Sequence, residues 1–63
     1  MQEKLREQIK IIKAMYGDEY KYIDFAEYLE MNINSFYNWL NGYYNLGAER
    51  EQKLKDIVND ILF

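Results

Sequence analysis

This chain predicts an all-α fold, a compact bundle of four or five helices, and three observations predict it. Apolar residues recur at helical spacing in several separate stretches. No alternating apolar and polar run is long enough for a convincing strand, and no proline, repeat or low-complexity segment interrupts the pattern. Hydrophobic residues make up 49% and aromatics 17% of the 63 positions, which argues against disorder and supplies large side chains for a small core. A chain this short forms one domain, near the lower limit for folding without a disulfide or a metal.

The first helix is expected over roughly residues 2 to 15. Leu5, Ile9, Ile12 and Tyr16 make its inner stripe, Ile11 and Met15 widen it, and Glu3, Lys4, Arg6, Lys10 and Lys13 surround it. Gly17 is placed to cap its C-terminus, and Asp18 and Glu19 carry a polar connection towards Tyr22. Phe25, Ala26 and Leu29 then give the inner face of a second helix, with Met31 in the turn that follows. Asn32 or Asn34 caps a third helix, from which Phe36, Trp39 and Leu40 face inward. Gly42 ends that helix with a positive φ, and the loop Tyr43 to Gly47 leads to a last helix with Leu54, Ile57, Val58, Ile61 and Leu62 on one side. Met1, Leu5, Leu62 and Phe63 bring apolar groups to the two chain ends, where they either close the core or form a dimer contact.

Composition removes several classes of function. There is no Cys, so no disulfide framework or thiolate metal site, and no His, so no imidazole ligand, base or proton shuttle. The acidic set Asp18, Glu19, Asp24, Glu27 and Glu30 lacks the alternating oxygen ligands and glycine of a calcium loop and reads as a solvated face. Paired carboxylates for catalysis would need a pocket that so short a chain hardly has room for. Neither an enzyme nor a cofactor-binding protein is expected. The first residues, MQEKLREQIK, are charged, and no stretch reaches membrane-spanning length. The expectation is a cytoplasmic protein with no membrane partner.

The stretch from Tyr22 to Gly42 carries the functional signal. Apolar residues there are spaced for two short helices crossing at a sharp angle, with Ala26 as the small residue at the crossing and Phe36 and Trp39 as anchors of the second helix. That is the pattern of a helix-turn-helix. Ala26, Leu29, Met31, Ser35, Phe36, Trp39 and Gly42, with the segment SFYNWLNGYYNL, resemble the Cro and lambda-repressor-like helix-turn-helix domains, especially small phage and prophage regulators of Gram-positive bacteria. The resemblance covers residues 22 to 62. Two positions depart from it: Glu30 stands where the family usually has a turn glycine, and Ile23 replaces a polar residue that often touches a phosphate.

The resemblance implies a transcriptional regulator whose third helix, about Ile33 to Asn41, enters the major groove of duplex DNA, as a symmetric dimer with its two such helices about one DNA turn apart. It places Asn32, Ile33, Asn34, Tyr37, Asn38 and Asn41 against the bases. Asn pairs with an adenine edge and Ile packs on a thymine methyl, so an A·T-containing site fits. Lys21, Arg50 and Lys53 are the candidate phosphate contacts, joined by the hydroxyls of Tyr43 and Tyr44. Against this stands one fact: Met31 to Ala48 contains no charged residue, and the formal net charge is −3. Arg and Lys, the chief sources of salt-dependent affinity for DNA, are missing from the face itself. Phe25, Phe36 and Trp39 could serve as a stacking platform for single strands, but helical spacing puts them in the core. The alternative keeps the fold and changes the partner: an uncharged Tyr and Asn face also suits a protein interface with a regulator, a polymerase subunit or a host protein.

Overall fold

The computed structural model describes residues 2–63, and Met1, one of the apolar end residues, lies outside them. Four helices follow in order: α1 (Glu3–Met15), α2 (Tyr22–Tyr28), α3 (Ile33–Leu40) and α4 (Ala48–Leu62). No strand occurs among the described residues, and none of their helices is long and apolar enough to cross a membrane.

Of the apolar residues of α1 only the strict stripe is fully inside. Leu5, Ile9 and Ile12 are buried, while Ile11 and Met15, expected to widen the stripe, are 48% and 61% exposed. Each residue turns the helix by about 100°, so Ile11 points well away from the line through Ile9 and Ile12, where α4 packs. Gly17 also has a different role from the one expected. Tyr16 ends the helix, its N–H bonded to the Ile12 carbonyl at 2.7 Å, and Gly17 has no positive φ. A Cβ at position 17 would stand 2.9 Å from the Lys13 carbonyl oxygen, so glycine is required by close approach.

Helix α2 starts where the Asp24 carboxylate accepts the backbone N–H of Lys21 at 3.0 Å. Phe25, Ala26 and Leu29 are fully buried against α3, as expected. Asn32, of the two candidates, caps α3 by accepting the Asn34 N–H at 2.8 Å. From α3, Phe36, Trp39 and Leu40 turn inward, and from α4, Leu54 and Val58, with Ile57, Ile61 and Leu62 half-buried beside them. An aromatic ladder runs through this core. Phe25 stacks on Phe36 at 6.3 Å between ring centres, and Phe36 leans on Trp39 at 5.5 Å. Burying each side chain of this size contributes about 1.5–3 kcal/mol, which is how so short a chain offsets the entropy of folding. At the chain ends Leu5 joins the core, whereas Phe63 is 89% exposed.

Both turns around α3 close in the same way. After α2, Glu30 N–H bonds to Glu27 and Met31 N–H to Ala26; after α3, Gly42 N–H bonds to Trp39 and Tyr43 N–H to Asn38. These are Schellman turns, which place one residue in the left-handed region. At the second that residue is Gly42, with φ of 90°, as the sequence suggests; at the first it is Glu30, with φ of 57°.

Candidate nucleic-acid interface

The outer face of α3 follows from its inner one. With Phe36, Trp39 and Leu40 locked in the core, Asn34, Tyr37, Asn38 and Asn41 are forced to the exposed side, spaced as neighbours along one helix face. Four of the six candidate base contacts are therefore brought together. Asn32 is exposed, but its Oδ1 is committed to the helix cap. Ile33 is half-buried against the core.

The candidate phosphate contacts divide more sharply. Lys21 is exposed at the start of α2, and Tyr43, at 79% exposure, projects from the loop after α3. Tyr44 donates its hydroxyl to the Ser35 carbonyl at 2.7 Å, so the proton a phosphate would need is already engaged. Arg50 donates Nε to the Leu29 carbonyl at 3.0 Å and Nη2 to the Glu30 carbonyl at 3.2 Å. Its guanidinium is thus a clamp on the α2–α3 turn. Lys53 lies half-buried in the same corner of the fold, beside Glu30 and Glu49.

Two buried polar residues at the start of α1 hold the other end of α3, and one of them, Arg6, is expected from its spacing to lie outside the apolar stripe. Gln2 is 6% and Arg6 7% exposed. Gln2 Oε1 accepts the Trp39 indole N–H at 2.7 Å and the Leu46 N–H at 2.8 Å, while its Nε2 donates to the Leu46 carbonyl at 3.1 Å. Arg6 donates Nε to the Trp39 carbonyl at 2.6 Å and Nη2 to the Tyr44 carbonyl at 2.7 Å and Asn45 Oδ1 at 3.2 Å. Its guanidinium carbon also lies 5.2 Å from the centre of the Trp39 ring. The nearest carboxylate, Glu3, is 3.8 Å away and mostly solvated, so it adds little. One signal could have revealed the pair: a buried Trp needs an acceptor for its N–H, and Gln2 and Arg6, four apart, flank Leu5 and precede Ile9 on the inward side.

Two lysines of α1 also lie near residues that border α3. Lys13 Nζ stands 5.9 Å from the centre of the Tyr22 ring, a contact that contributes about 0.5–1 kcal/mol near the surface. Tyr22 in turn meets Tyr37 edge-on at 5.7 Å. Burial first, and the neighbouring Tyr37 second, push the Tyr22 phenol above its ordinary value. Lys10 lines an open cleft of about 560 Å³ together with Asn41 and Tyr43. No protein-family model, curated protein or solved structure matches this chain. Function has to be read from these side chains.

Proposed function

We propose that α2 and α3 form a helix-turn-helix that binds a short duplex DNA site, and that the protein is a transcriptional regulator similar to the Cro and lambda-repressor-like phage proteins. The observation that carries this reading is the exposed row Asn34, Tyr37, Asn38 and Asn41 on a helix clamped at both ends, its opposite face locked in the core. Rigid presentation of amide side chains suits bidentate pairing with adenine edges in a major groove. A second copy of the chain, related by a two-fold axis, would present two such helices to one site.

The same face favours a second reading at one point. Met31 to Ala48 has no charge, and Ile23, Tyr28 and Tyr37 are all more than 40% exposed, a composition suited to a protein partner. Titration of the duplex upstream of the protein's own coding sequence, at low and moderate salt, separates the two. DNA binding predicts an affinity that falls steeply with salt, and Asn38→Ala should cost about 1–3 kcal/mol at one cognate base pair while leaving non-specific binding intact. If the chain binds no duplex at low salt, the protein-partner reading replaces this one. Intact sequence discrimination in Asn38→Ala would overturn the docking of α3.

A further inference from the structure

Cations missing from α3 reappear along the edge of α1. Lys10 and Lys13 are three residues apart and so share one helix face. Each meets the outer side of α3 at a different point: Lys10 in the cleft that holds Asn41 and Tyr43, Lys13 through the Tyr22 ring that abuts Tyr37. Neither makes an ion pair among the described residues. The ion pairs among the described residues are Arg6 with Glu3 and Lys55 with Glu51, so no described carboxylate lies within 4.0 Å of either ammonium. Glu3 and Glu7 share the cleft with Lys10 without pairing to it.

We propose that Lys10 and Lys13 form a track for the phosphate backbone of the duplex, so that the first helix supplies the charge that α3 lacks. This rests on the reading of α3 as the groove-binding helix, and it replaces Arg50, whose guanidinium holds a turn, as the main source of electrostatic affinity. Lys13 stands over the Tyr22 ring, which also contacts Tyr37 within the row, and Lys10 lines the cleft at Asn41, where the row ends. One strand of the duplex backbone would then meet the two lysines in succession along the same side of α3. Phosphate contacts position a protein and strengthen every sequence alike, leaving discrimination to the Asn residues.

The test is a salt titration of the upstream duplex, and of an unrelated A·T-rich duplex, with the intact chain and with Lys10→Gln, Lys13→Gln and the double variant. Each substitution should flatten the slope of log affinity against log salt by about 0.9, with the double variant losing about twice that, and should weaken both duplexes by the same factor. Lys13→Arg should restore the slope, and Lys55→Gln, whose ammonium pairs with Glu51 at 3.6 Å, should leave it unchanged. Helical circular dichroism of each variant confirms that the fold is kept. If the intact chain binds duplex and both single variants keep its slope, the α1 track is wrong while the reading of α3 stands. Failure of the intact chain to bind either duplex at low salt overturns both.

Discussion

The two ends of α3 use the same backbone turn and the same kind of clamp, and they differ in how well each is made. At the C-terminal end the left-handed position is Gly42, and the arginine that holds the turn, Arg6, is buried, donating to three oxygens and lying over Trp39. At the N-terminal end the left-handed position is Glu30, and the clamp, Arg50, sits at the surface with two carbonyls as acceptors. A residue with a Cβ in that conformation costs roughly 1–2 kcal/mol relative to glycine. Charge-assisted hydrogen bonds from a buried group contribute more than exposed ones, because water competes with the latter. One end is therefore relaxed and strongly held; the other is strained and lightly held. The exposed face of α3 lies between them.

Breaking the strong end should have the largest effect. Arg6→Ala takes one of two donors from the Trp39 carbonyl, leaves the Tyr44 carbonyl without its side-chain donor and removes the contact with the indole ring, and a loss of about 3 kcal/mol is expected in urea denaturation followed by Trp39 fluorescence. A loss under about 1 kcal/mol would mean that the core alone holds this turn. Gly42→Ala comes next. Nothing lies within 4 Å of the added Cβ, so the effect is purely conformational, and thermal melting should show about 1 kcal/mol of destabilisation. Smallest, and opposite in sign, is Glu30→Gly. Relief of the left-handed strain is partly offset by a freer unfolded chain, leaving a gain of about 0.5 kcal/mol by the same measurement. Were Glu30→Gly destabilising, the Glu30 side chain would be making a contact that outweighs its backbone strain.

Much of the fold was legible in the residue pattern. Phe25, Ala26, Leu29, Phe36, Trp39, Leu40, Leu54 and Val58 announce their burial by spacing, because a helix repeats every 3.6 residues and only one stripe can face a neighbour. Gly42 announces its φ, since glycine alone reaches it without strain. The candidate face of six residues came from the family resemblance, and burial of Phe36, Trp39 and Leu40 leaves Asn34, Tyr37, Asn38 and Asn41 of them side by side on the exposed side of α3. The cations around that face were not legible. Arg6, Lys13 and Arg50 look alike in sequence, yet one is buried over a Trp, one rests on a Tyr and one bonds to a turn. Their partners lie 33, 9 and 21 positions away, beyond the reach of any local spacing rule.

What the amino-acid sequence settled by itself was local: which stretches are helical, which stripe of each is apolar, and where glycine must turn the chain. Those choices depend on neighbours within a turn or two, and side-chain chemistry at that range is written in the order of residues. Tertiary packing decided the rest. It narrowed the stripe of α1 by placing α4 along one side, so that Ile11 and Met15 stay outside. Packing α1 across the end of α3 drew Gln2 and Arg6 into the interior, where every buried side-chain nitrogen and oxygen among the described residues finds a partner. A long flexible cation can reach many oxygens, and only the assembled core determines which of them it meets.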